Sequence, residues 1–143
     1  MTENPDYLVV YGTLRSPFVN PFAQFLRQHG RYVGEVTFPG LLFEVGSPYT
    51  AAYPGAIFQP DGTTEVIGTV YDIGNFKRTI LTRLDNYEGV SDAFDQPHEY
   101  TRTVVPVHCN GITIDCWVYL YNWRIDGKRV ITSGDYVRYS RKE

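Results

Sequence analysis

Hydrophobic positions along the chain change rhythm several times, and each change predicts an element. Residues 7–11, "YLVVY", are apolar without interruption and read as a buried strand, and Gly12 ends the run. In "NPFAQFLRQHG" the rhythm turns helical. Phe22, Phe25 and Leu26 stand at i, i+3 and i+4, Asn20 can cap, Pro21 suits the first turn and Gly30 the end. Short strand-like pieces follow at 32–36, 41–45 and 56–59, separated by proline and glycine, and a better strand at 65–73. "NFKRTILTRLDNYEG" is the clearest helix. Asn75 precedes it, Phe76, Ile80, Leu84 and Tyr87 form its stripe, and Gly89 offers a left-handed stop.

A polar linker, "VSDAFDQPH", then leads to two alternating runs, 99–108 and 112–122, joined through Asn110-Gly111, the strongest short hairpin signal. Taking those two residues as the loop sets the register. Tyr100 falls opposite Tyr121, Arg102 opposite Tyr119 and Val104 opposite Trp117, giving one aromatic and polar face. The other face pairs Val107 with Ile114, Val105 with Cys116 and Thr103 with Val118. One more strand is expected near 129–132, and "SGDYVRYSRKE" reads as a polar tail. Many short strands, Gly/Pro turns and two helices describe an α+β fold: a small mixed β-barrel or strongly twisted sheet with two main helices packed outside.

Length and charge narrow the picture. At 143 residues the chain suits one domain over 1–143. The 13 basic and 16 acidic residues leave a net charge of −3, without the basic excess that phosphate neutralisation needs. A nucleic-acid partner is therefore not expected; its remaining form is a stacking platform of Tyr100, Trp117, Tyr119 and Tyr121. No apolar run reaches the length of a membrane span, and "MTENPDYLVV" lacks a basic n-region, so a cytoplasmic protein without a membrane partner is expected. In the hairpin register Cys109 and Cys116 stand about four residues apart, roughly 13 Å at strand rise, beyond disulfide reach. They read as reduced, half-buried thiols. His29, His98 and His108 are spaced for no zinc site, and no metal is expected.

Two places invite chemistry. The first strand stops on Tyr11-Gly12-Thr13-Leu14 with Arg15 next, a turn that exposes backbone donors beside a permanent cation, as anion-binding loops do. Glu88 ends a helix, where the dipole prefers a cation. A solvated glutamate is the plain account. A loop folding back over the barrel would instead desolvate its carboxyl and raise its pKa, the state a general base needs. Glu44, Glu65 and Glu99 are other acids for which a surface role suffices, and no G-x-S-x-G elbow, P-loop or dinucleotide fingerprint competes.

Taken in order, "VYGTLR" at 10–15, "YPGAI" at 53–57, "GTVYDI" at 68–73, "LDNYEGV" at 84–90, "EYTRTVV" at 99–105, "WVYLY" at 117–121 and "SGDY" at 133–136 resemble the γ-glutamyl cyclotransferase-like family, including its γ-glutamylamine and AIG2-like branches. The resemblance implies a small barrel with helices and a cofactor-independent reaction. In it the α-amine of a small γ-glutamyl compound attacks its own γ-carbonyl, releasing an amine or amino acid and 5-oxoproline. By motif, the essential acid falls on Glu88 and the substrate-cradling loop on Tyr11, Gly12, Thr13 and Leu14. Tyr100 matches a pocket tyrosine, Tyr121 joins it through the register, and Arg15 either balances the substrate carboxylate or points to solvent. One departure is "GVSDAFDQPHE", a longer link than expected in the amine-cleaving branch, which leaves the leaving group open. The oligomeric state is open too. The rival reading is a non-catalytic small-molecule or partner-binding barrel on the same scaffold, against which the presence of Glu88 counts.

Overall fold

The apolar run at 7–11 owes its lack of alternation to two cores. Its strand, β1 (Tyr7–Val10), lies between β4 (Glu65–Asp72), antiparallel to it, and β6 (Ile112–Tyr121), parallel to it. Val9, followed by Tyr11, enters the barrel interior with Phe38, Val66, Val70 and Val118. Leu8 and Val10 face the helices with Leu26, Ile80 and Leu84. Both faces of β1 are thus buried, each large aliphatic side chain contributing roughly 1.5–3 kcal/mol. The computed structural model describes residues 5–15, 18–46, 53–91, 94 and 96–140; positions 92, 93 and 95 of the polar linker lie outside the described residues.

Five strands close the barrel. Beside β1, β4 and β6 stand β2 (Arg31–Val45) and β5 (Tyr100–Cys109), in the order β2-β4-β1-β6-β5 and back to β2 through Thr37 opposite His108. Two further strands, β3 (Tyr53–Phe58) and β7 (Arg129–Val130), pair with the far half of β2. The pieces expected at 32–36 and 41–45 are therefore one strand, and the piece expected at 56–59 starts earlier, at Tyr53. Pro39-Gly40 marks a change of partner instead of a break: Arg31–Pro39 run along β4 and Gly40–Val45 along β3. A Cβ on Gly40 would stand 2.1 Å from the Ile57 carbonyl oxygen, so glycine lets the crossing strands touch.

The β5–β6 hairpin has the register set by Asn110-Gly111, with Tyr100 opposite Tyr121 and Val105 opposite Cys116 without a bulge. Cys109 and Cys116 are free thiols and sit deeper than half-buried, at 4% and 0% exposure in the barrel interior. Helix α1 (Pro21–His29) starts under the Asn20 side chain, which accepts from Ala23 N at 2.8 Å. Helix α2 (Lys77–Glu88) follows a 3-10 turn, Gly74–Phe76, which takes in Asn75, and no side chain caps it. Its stripe is buried at Ile80, Leu81 and Leu84, while Phe76 and Tyr87 at the ends stay exposed. Gly89 stops it at φ 75°. The polar tail holds an unexpected short helix, α3 (Tyr136–Ser140), because Tyr136 buries itself in the interior core and Asp135 Oδ1 accepts from Arg138 N at 3.2 Å.

Gly134 joins this last helix to the barrel. Its carbonyl accepts from Ile67 N at 2.8 Å, its φ is +70°, and a Cβ there would stand 1.9 Å from Glu65 O. Gly134→Ala is expected to cost about 2–4 kcal/mol of stability, from a left-handed backbone and a collision with main chain. Urea unfolding checks this, and a midpoint equal to wild type would contradict the packing described.

Candidate active site

A cavity of about 440 Å³ opens where β1 runs into the following loop. Val9, Val10 and Tyr11 supply one wall, and Gly12, Thr13 and Leu14 the rim. The end of α2 brings Tyr87 and Glu88, the start of β5 brings Glu99 and Tyr100, and Tyr53, Pro54 and Tyr119 complete the enclosure. Glu88 and the Gly12–Leu14 loop, far apart in sequence, thus face one space.

The loop presents donors because its carbonyls are engaged elsewhere. Thr13 O accepts from Asn20 Nδ2 at 2.8 Å, and Gly12 O from Arg15 N at 3.0 Å. The N–H groups of Gly12, Thr13 and Leu14 have no acceptor among the described residues. Gly12 is glycine because of Pro54: a Cβ there would lie 2.6 Å from Pro54 Cγ.

Arg15 is turned away from this space. It is 6% exposed and bonds Thr69 Oγ1 at 3.2 Å, Asp135 Oδ1 at 3.0 Å and Glu35 Oε1 at 2.7 Å. It therefore neither lines the cavity nor points to solvent; the turn carries it to Thr69 on β4 and to Glu35 opposite Thr69 on β2. Tyr121 shares a face with Tyr100, their rings 5.5 Å apart and edge-on; it is not itself a lining residue, its ring lying against Gly55 and its hydroxyl beside Glu99.

Glu88 is half-buried, and no described residue donates a hydrogen bond to its carboxylate. Burial first, and the charge of Glu99 second, push its carboxyl up to about 8. The tyrosine hydroxyls around it spend their protons on the protein. Tyr11 donates to Tyr119 O at 2.6 Å and accepts from Ala56 N at 3.1 Å. Tyr100 donates to Pro54 O at 2.7 Å, Tyr119 to Asp85 Oδ1 at 2.8 Å, and Tyr53 to Glu99 Oε2 at 2.5 Å. Burial holds all four well above the ordinary tyrosine value, so these protons stay in place. Asp85, one turn before Glu88, is neutralised by Arg102, whose Nε and Nη2 reach its two oxygens at 2.8 and 3.2 Å.

Glu99, Tyr53 and Tyr119 are the lining residues that sequence reasoning passed over. Tyr119 was legible in the register, which places it on the face of Tyr100 and Tyr121. Glu99 was legible only through connectivity: it ends the link that Glu88 begins, so a helix end and a strand start at one mouth bring both carboxylates there. Of the other acids, Glu65 is exposed and Glu44 stands 3.9 Å from Arg129.

The closed mixed barrel with its extra strands and helices is the fold of one protein class. A family model described as gamma-glutamyl cyclotransferase, AIG2-like, matches residues 8–138, and the chain belongs to that family. YkqA from Bacillus subtilis is similar in structure, with TM-score 0.70 at 22% identity over 98% of this chain, which spans 44% of that protein's length. Protein ytfP from Escherichia coli matches with TM-score 0.60 at 25% identity, covering 94% of this chain and 98% of its own. An AIG2-like protein from Mus musculus matches with TM-score 0.59 at 21% identity, over 87% of this chain and 92% of its own. No curated protein matches the chain. Among the described residues no helix is long and apolar enough to cross a membrane, and no group of three or more His, Cys, Asp or Glu gathers to hold a metal.

A carboxyl raised from its ordinary 4.5 to about 8 binds its proton more tightly in the folded state than in the unfolded one. Its contribution to stability is then fully present below pH 4.5 and lost as pH rises through 8. Glu88→Gln removes this loss. The variant is expected to melt about 4–8 °C above wild type at pH 9, for roughly 2 kcal/mol, and level with it at pH 4.5. Equal melting at both pH values would mean that the carboxylate is solvated.

Proposed function

We propose that the chain is a cofactor-independent cyclotransferase acting on a small γ-glutamyl amide, with Glu88 as general acid and base. The observation that carries the reading is one cavity holding an acid raised to about 8 and three residues whose backbone donors have no acceptor among the described residues. In this mechanism the Glu88 carboxylate takes a proton from the substrate α-ammonium. The freed nitrogen pair attacks the γ-carbonyl carbon, a C–N bond forms, and the carbonyl pair moves onto oxygen. The N–H groups of the Gly12–Leu14 loop stabilise that oxyanion, a single donor being worth about 3–4 kcal/mol. As the carbonyl re-forms, the old amide C–N bond breaks, the leaving nitrogen takes the proton back from Glu88, and the freed carboxylate removes the second proton from the ring nitrogen and passes it to the departing amine. The products are 5-oxoproline and a free amine.

Each part meets a requirement of ring closure. A base near neutral pKa contributes about 10²–10⁴-fold, and Tyr11, Tyr100 and Tyr119, fixed by their own hydrogen bonds, wall the γ-glutamyl chain into a folded shape. The family membership supports the same reaction. A cytoplasmic setting follows from this reading, because free γ-glutamyl compounds are small soluble metabolites.

Glu88→Gln, with shape retained, is expected to lower kcat by about 10²–10⁴-fold, followed as 5-oxoproline release from a panel of γ-glutamyl amides. Near-wild-type turnover would move the role elsewhere. In the wild-type protein kcat/KM should rise with pH to a plateau above about 8, since only the carboxylate accepts the proton. Glu99→Gln should move that midpoint down, because the Glu99 charge raises it.

A further inference from the structure

The cavity wall has a charge imbalance that the reaction itself does not use. Of three carboxylates at the site, Asp85 is matched by the bidentate Arg102, whereas Glu88 and Glu99 have no ion-pair partner among the described residues. No lysine, arginine or histidine stands among the described lining residues, and Lys128 lies over the Tyr121 ring behind them. The γ-glutamyl portion of a substrate brings one ammonium and one carboxylate, which cancel. Transfer of the ammonium proton to Glu88 moves charge within the site without removing any, so two negative charges, one of them on Glu99, stay unbalanced.

The hydrogen-bonding inventory points the same way. The hydroxyl protons of Tyr11, Tyr53, Tyr100 and Tyr119 are already given to protein acceptors, Tyr53's to Glu99 itself. Away from the Gly12–Leu14 rim this side of the wall offers carboxylate oxygens and hydroxyl lone pairs. That surface complements an ammonium, which has three donors and no acceptor. It opposes a second carboxylate, which meets a like charge with no donor to spare.

The geometry points to Glu99, held by Tyr53, as a specificity-determining residue that selects γ-glutamyl amides whose leaving amine carries a second, protonated amine. This rests on the cyclotransferase reading of the same cavity. A neutral leaving amine leaves Glu99 unbalanced, a leaving amino acid adds a negative charge beside it, and a diamine brings the missing cation. Glu99 is fixed where it acts at both ends: Tyr53 holds its carboxylate, and Asn122 N donates to its main-chain oxygen at 2.6 Å.

The test compares three compounds of similar length with the full chain: the γ-glutamyl monoamides of 1,4-diaminobutane, of pentylamine, and of 4-aminobutyrate. Their kcat/KM values, read as 5-oxoproline release, are expected to fall in that order, by about tenfold at each step. In Glu99→Gln the diamine-to-pentylamine ratio should collapse towards one, and Tyr53→Phe, which removes one of the two tyrosine hydroxyls beside the carboxylate and leaves that of Tyr121, should shrink the same ratio in part. Using ratios removes the effect of Glu99 on the Glu88 midpoint. Equal wild-type rates for the three compounds, or a ratio unchanged in a folded Glu99→Gln protein, overturn the assignment while leaving the cyclotransferase reading intact. If none of the three releases 5-oxoproline, that reading fails. Calorimetric binding of the same compounds to Glu88→Gln then decides for Glu99: tighter binding of the diamine derivative supports it, and equal or absent binding overturns it.

Discussion

A buried guanidinium governs the shape of the site from outside it. Arg15, almost fully withdrawn from solvent, must find partners for its donors. It finds them on Glu35, Thr69 and Asp135, which lie 20, 54 and 120 residues away. Thr69 in turn donates to Glu35 at 2.9 Å, so β2, β4 and the entry to α3 are tied to one point. At the other end of the same loop, the Tyr11 hydroxyl bridges Tyr119 O and Ala56 N. Gly12–Leu14 therefore span the gap between two fixed posts. These three residues line the cavity, and the residues on either side have no freedom to turn.

The acid opposite that loop is held at an energetic disadvantage. It sits at the negative end of α2, partly desolvated, with a second carboxylate close enough to raise its pKa and no donor among the described residues to relieve it. A carboxylate that the fold stabilised well would be a poor base near neutral pH. Neighbouring Asp85 shows the alternative treatment within the same turn of helix, with Arg102 and Tyr119 both bonded to it. Two carboxylates three positions apart thus acquire different properties from their surroundings alone, one bonded as a structural anchor and one with its pKa raised.

Much of the fold was legible where local chemistry decides it. Asn110-Gly111 determines a two-residue turn, the turn determines the register, and the two faces of β5 and β6 follow. Where tertiary context decides, local patterns misled. Pro39-Gly40 looks like a strand end, yet the strand runs through it because β3 takes over from β4 as partner. "DYVRYS" looks like tail, yet Tyr136 has a place in the interior core. The site followed the same division. Motif resemblance pointed to Glu88 and the loop, and the cavity gathers them. The burial of Arg15 depends on the distant residues that the closed barrel brings to it, and Tyr121, on the face of Tyr100, packs against Gly55 instead of joining the lining; no spacing in the chain reveals either.

Glu88 is the last residue of α2, and Glu99 directly precedes β5. The two cavity carboxylates are thus the two ends of one connection, residues 89–99, while the barrel strands are set by pairings elsewhere. Chain connections lengthen and shorten in evolution far more readily than strands change register. On the proposed reading, a few residues gained or lost in this link would move the ligand-selecting carboxylate relative to the proton-transferring one and leave the loop of donors untouched. The scaffold would then diversify by altering the span of a single bridge, with its chemistry anchored at one abutment and its selectivity at the other.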